Sequence, residues 1–171
     1  MSMDIANTYQ AHFLKNRWCL LAVVFMARAG VGFQFIAVAA LMSDIQLGLH
    51  LNYAEIGTLL GSFMLAGVLL SLPSGMIINI FGERLMLLFG LAALIASGVL
   101  MSQSGGFPSA LAARLCGGLG AVFITVTGAK VLTGRFIGKE ITTAMSFLGV
   151  AWPVGIAFGI VTLPLMGASL E

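Results

Sequence analysis

Arg28 stands ten residues inside an apolar stretch that begins at Trp18. As a helix, that places it about 15 Å deep, near the middle of a ~30 Å hydrocarbon core. An arginine there costs at least ~2.5–3.5 kcal/mol and lies too deep to snorkel easily to the interface. Two readings follow. Arg28 is a fixed positive charge lining a polar cavity, where it meets an anionic solute, or a buried arginine paired with helix-end carbonyls or a neighbouring polar side chain. Gln34 follows six residues later, off the Arg28 face, and either adds a cavity hydrogen bond or ties two helices together. Arg114 lies about five residues into another apolar stretch; it snorkels, pairs structurally, or forms the outer rim of the same cavity. Arg28, Gln34 and Arg114 are the expected binding set.

Other chemistry has little to stand on. The sequence holds no HExxH, CxxC or GxSxG pattern, and His12 and His50 are far apart in terminal and loop positions. Gly134 to Lys139 (GRFIGK) is one residue short of a phosphate loop and places Glu140 where a magnesium-binding Ser or Thr belongs. Cys19 and Cys116 read as small apolar residues. The reading is a non-enzyme with no cofactor and no metal.

The elements that position these residues follow from composition. The chain has 171 residues, 60% hydrophobic and 8% charged, with a mean hydropathy of +1.08. Soluble domains carry roughly three times that charged fraction. A net charge of +2 without a basic cluster excludes nucleic acid as a partner. What remains is an all-α, polytopic transmembrane bundle, because backbone groups in hydrocarbon must be satisfied within the helix. Five spans are expected, over residues 18–42, 53–78, 85–101, 109–132 and 141–166. Asn52 and Glu55 read as a capping box at the start of span 2.

Basic residues orient the bundle. Lys15, Arg17, Arg84, Lys130, Arg135 and Lys139 fall on one side, while Asp44, His50, Glu55 and Glu171 fall on the other. The positive-inside rule places the N-terminus in the cytoplasm, with residues 1–17 a cytoplasmic tail and 167–171 a short external one. A span of about 25 residues preceded by Asp4 argues against a cleaved signal peptide. The expected location is the inner (plasma) membrane.

Small residues recur at helix-packing spacing: Gly57 and Gly61 in span 2, Gly117, Gly118 and Gly120 in span 4, and Ala151, Gly155 and Gly159 in span 5. Such faces let another helix approach closely. Pro73, Pro153 and Pro164 interrupt the hydrogen-bond ladder within spans.

Three segments resemble the major facilitator superfamily. The loop Gly75-Met-Ile-Ile-Asn79-Ile-Phe-Gly82-Glu83-Arg84 is similar to the family's G-x-L-A-D-R-x-G-R-R/K, with Asn79, Ile80 and Glu83 departing from it. Arg114 to Ala121 is similar to R-x-x-Q-G-x-G-A, with Gly117 in place of the glutamine. Arg135 to Glu140, followed by Gly149 and Trp152 to Gly155, is similar to the family's loop and glycine- and proline-rich fifth helix. An arginine in the first span also resembles the cyanate-permease-like group of anion carriers. The resemblance implies the N-terminal six-helix half of that fold with its last helix missing, built from inverted three-helix repeats in which spans 1 and 4 are equivalent. It implies that Gly75, Asn79, Gly82 and Arg84 form a loop that clamps two halves together, a role the departures weaken.

The function expected is secondary transport of a small solute by alternating access, an anion where Arg28 lines the cavity. A C-terminal half or a second copy would complete the cavity in the lipid bilayer. The alternative is a non-transporting assembly subunit or an inactive truncated product.

Overall fold

The computed structural model describes the backbone of residues 2–168 and the side chains of residues 17–165. The side chains of Asp4, His12 and Lys15, and the end of the expected external tail, lie outside it. Six helices follow one another: α1 Ser2–Ala40, α2 Met42–Leu49, α3 Tyr53–Phe81, α4 Glu83–Ser102, α5 Phe107–Arg135 and α6 Lys139–Ala168. Five of them are long and apolar enough to cross a membrane. Among the described residues there is no strand.

The first span is shorter at its far end than its apolar pattern suggests. Leu41 leaves helical geometry at φ −108°, ψ 26°, and Met42 opens a separate short helix. The physical reason is packing: Met42, Ile45 and Leu49 turn back onto a buried cluster of Val38, Leu51, Ile56, Leu59 and Ala110. At the other end, α1 already includes residues 2–16, so the expected tail continues the first span's helix.

The linkers are short and chemically defined. His50 closes α2 in the left-handed region at φ 52°. The capping box is present: Asn52 Oδ1 accepts from the Glu55 N–H at 2.9 Å, and Glu55 Oε2 accepts from the Asn52 N–H at 2.8 Å. Each bond satisfies a donor that a helix start leaves orphaned. Only Gly82 separates α3 from α4, at φ +85°, a conformation L side chains rarely adopt.

Helix α5 is the centre of the bundle. Of its apolar window 61% is buried, against 17–28% for the other four spans. Glycine makes that possible. A Cβ at Gly120 would lie 2.6 Å from the Gly90 carbonyl oxygen on α4, and one at Gly118 would lie 2.5 Å from the Phe63 carbonyl oxygen on α3. A third seam joins α1 to α6, where a Cβ at Gly155 would overlap the Ala29 carbonyl and one at Gly32 the Trp152 carbonyl. These are backbone contacts, which cannot yield as a side chain can. Gly159 also packs on α1, at Ile36 and Phe33.

Gly57 and Gly61 differ. Both are exposed, and a Cβ at either meets nothing within 4 Å. Their spacing is right for close packing, but among the described residues no helix lies across from them. Large apolar side chains such as Val68, Leu72 and Met76 also cover the outside of α3. In water that surface would be unstable; in a bilayer it is the solvated face.

Candidate functional site

Arg28 is partly buried on α1 and reaches two other helices. Its Nε donates to the Leu148 carbonyl of α6 at 3.1 Å, and its Nη1 donates to Thr125 Oγ1 of α5 at 2.6 Å. A carbonyl oxygen has two lone pairs, so that of Leu148 can accept from Arg28 in addition to the N–H of its own helix. A guanidinium carries five N–H groups in a planar fork. Three of those on Arg28 have no partner among the described residues.

Arg28 borders a cavity of about 260 Å³ between four helices. Arg28 and Val31 line it from α1; Phe63, Met64, Gly67 and Ser71 from α3; Gly118, Ala121, Val122, Thr125 and Val126 from α5; and Trp152 from α6. Phe35 ties this wall together, its ring centroid 5.8 Å from that of Phe63 and 5.6 Å from that of Trp152.

Arg114 is placed differently. It is 2% exposed and neither snorkels nor pairs with a carboxylate. Nη1 donates to the Gln34 carbonyl at 2.8 Å, Nη2 to the Phe35 carbonyl at 2.9 Å, and Nε to the Leu59 carbonyl at 3.3 Å. The Phe63 ring lies 4.9 Å below the guanidinium carbon. A carbonyl oxygen has two lone pairs, so each can accept from Arg114 in addition to its helical N–H. Three charge-assisted bonds and a cation–π contact replace the counter-ion. Gln34 ties α1 to α4, its Nε2 donating to Ser97 Oγ at 3.2 Å. Gln34 and Arg114 also border a second cavity of about 540 Å³ with Asp44, Ser102 and Ser104. Arg28 is not among the residues that line it.

The sequence pattern of the Major Facilitator Superfamily matches residues 15–171. The chain belongs to that superfamily. A similar protein is the mouse "Solute carrier family 2, facilitated glucose transporter member 10", 26% identical over 128 residues. The match covers 74% of this chain and 24% of that protein, so the chain spans about a quarter of its relative's length. The superfamily loop is present in altered form. Asn79 Oδ1 accepts from Lys130 Nζ at 2.5 Å, joining α3 to α5. Gly82 makes the turn, Gly75 faces open space, and Arg84 is exposed.

Several site residues escaped the sequence reading. Thr125 and Trp152 lie at the cavity with Arg28, and a hydroxyl in the middle of an apolar span was the available signal for the first. Trp152 entered that reading only through the Trp152 to Gly155 stretch that resembles the superfamily's fifth helix. Arg17 and Glu140 form a two-point ion pair at 2.7 and 3.1 Å, joining α1 to the start of α6. Arg17 also lies 5.6 Å over the Phe136 ring.

Proposed function

We propose that this superfamily member is the N-terminal half of a secondary transporter moving a small anionic solute by alternating access. The observation that carries the reading is Arg28: a guanidinium at mid-span with three unpartnered N–H groups beside a cavity between α1, α3, α5 and α6. A charge held in hydrocarbon with spare donors marks a solute pathway better than a packing role does. Gln34 and Arg114 support it from behind, fixing α1 against α3, α4 and α5 through their hydrogen bonds.

The remaining wall of the cavity would come from a C-terminal half or a second copy of the chain. In this reading the end bearing Arg17, Arg84, Lys130, Arg135 and Lys139 faces the cytoplasm, and the membrane is the inner (plasma) membrane.

The test is flux of radiolabelled organic anions into proteoliposomes made from the full reading frame. Wild-type flux that saturates and falls at least tenfold in Arg28→Gln supports the proposal. Flux unchanged in that variant, with the protein equally inserted, removes Arg28 from the pathway. No flux of any solute in wild type leaves an assembly subunit as the better reading.

A further inference from the structure

The chemistry of the cavity wall narrows the solute further, on the premise that this cavity is the transport site. Four lining residues have polar side chains: Arg28, Ser71, Thr125 and Trp152. The Ser71 O–H donates to the Val68 carbonyl at 2.9 Å, which leaves its oxygen as an acceptor. Thr125 Oγ1 accepts from Arg28, which leaves its own O–H to donate. Arg28 and the Trp152 indole are donors only. The wall's one charge is therefore positive, its free donors are on Arg28, Thr125 and Trp152, and its side-chain acceptors are two hydroxyl oxygens. Asp, Glu, Asn, Gln, Lys and His are absent from the lining residues.

Each solute class meets that pattern differently. A cation would meet the like charge of Arg28. A sugar or polyol needs donors and acceptors spread around its ring, and hydroxyls left unpaired in a dry site cost about 1–3 kcal/mol each. A dianion such as sulfate would find one guanidinium in the part of the wall that this chain supplies, which leaves its second charge uncompensated there. A monocarboxylate is matched: its two oxygens suit the planar fork of an arginine. The rest of the lining, with Val31, Phe63, Met64, Val122, Val126 and the Trp152 ring, is apolar.

We infer that the site takes a small organic monocarboxylate with an apolar body, its carboxylate on Arg28 and Thr125 and its body against Phe63, Met64 and Trp152. This sets the site apart from what the name of its mouse relative specifies.

Trp152 supplies the readout. In a Trp18→Phe background of the full chain in lipid nanodiscs, indole fluorescence is titrated with four probes: cyclohexanecarboxylate, its neutral amide, sulfate and glucose. The expected result is a saturable change with cyclohexanecarboxylate at least tenfold tighter than with the amide, and none with sulfate or glucose. Arg28→Gln should abolish the preference of acid over amide, and Arg28→Lys should retain part of it. Equal response to acid and amide in the unmutated cavity overturns the monocarboxylate assignment without recourse to any variant. An Arg28-dependent response to sulfate or glucose overturns the solute class and leaves the transport site standing. If no probe gives an Arg28-dependent response, and flux is also independent of Arg28, both the class and the site fall.

Discussion

Arg28 and Arg114 make the same contact from two different helices. Each donates its Nε to a leucine carbonyl, Arg28 to Leu148 at 3.1 Å and Arg114 to Leu59 at 3.3 Å. The first bond runs from span 1 to span 5, the second from span 4 to span 2. In an inverted repeat that equates spans 1, 2 and 3 with spans 4, 5 and 6, those two bonds are one bond seen twice. The glycine seams follow the same rule: Gly32 of span 1, four residues after Arg28, meets the Trp152 carbonyl of span 5, and Gly118 of span 4, four residues after Arg114, meets the Phe63 carbonyl of span 2. What differs is saturation. Arg114 spends three N–H groups on carbonyls and is 2% exposed, whereas Arg28 spends one on a carbonyl and one on a hydroxyl and borders the cavity. In the proposed function, one repeat's arginine is structural and its counterpart meets the solute.

That asymmetry predicts opposite phenotypes for the same substitution. Arg114→Gln should lower stability by about 2–4 kcal/mol, since it empties a buried volume and unties α5 from α1 and α3. Arg28→Gln should cost under about 1 kcal/mol, because its side chain is only partly buried and bonds only two groups. Unfolding midpoints of the two variants in the same detergent check the ranking. Equal losses would mean that Arg28 is as structural as its counterpart.

The glycine seams make a second, paired prediction. Gly155→Ala drives a Cβ into the Ala29 carbonyl, a backbone atom that cannot rotate away, so α1 and α6 must separate. A loss of about 1–3 kcal/mol is expected, as for other overpacked sites. Gly61→Ala places its Cβ in open space and should stabilise the chain by up to about 1 kcal/mol through helix propensity. Thermal unfolding of both variants reads the sign directly, and destabilisation by Gly61→Ala would show that another helix covers that face.

Much of this arrangement was legible in the residues, for identifiable reasons. Hydrocarbon demands long apolar helices, so the five spans and the Asn52–Glu55 cap could be read from local sequence alone. The depth of Arg28 was likewise a matter of counting residues from Trp18. Its partners were not legible, because Thr125 and Leu148 are 97 and 120 residues away and one of them contributes only a backbone carbonyl. A carbonyl carries no side-chain signature. The same blindness explains Arg114, whose three acceptors are all main chain and so could not be anticipated as the alternative to a carboxylate. Gly57 and Gly61 show the opposite failure: a packing spacing was present, but spacing does not supply the partner helix.

At the basic end, Arg17 and Glu140 should couple measurably but modestly. Their side chains are 17% and 45% exposed, so water and salt screen the pair despite its two-point geometry. A double-mutant cycle with Arg17→Ala and Glu140→Ala should give a coupling of about 0.5–1 kcal/mol. It should shrink as salt is raised, because the Debye length falls to about 3 Å at 1 M. A coupling that ignores salt would mean that the contact is held by packing on Phe136 instead.

Asn79 offers a gain-of-interaction test at the position where the loop departs from the superfamily pattern. Its Oδ1 already accepts from Lys130 Nζ at 2.5 Å, so the geometry for an ion pair exists but the acid does not. Asn79→Asp keeps the side-chain shape and turns a neutral acceptor into a carboxylate facing a lysine. The new pair joins α3 to α5 in an exposed setting, where such pairs contribute roughly 0.2–1 kcal/mol. The expected outcome is a small rise in unfolding midpoint at low ionic strength that disappears in high salt. Lys130→Met should abolish the gain without affecting the Arg17–Glu140 coupling, since those residues share no partner with it. If Asn79→Asp lowers stability at low salt, the lysine is engaged elsewhere and the amide contact is incidental.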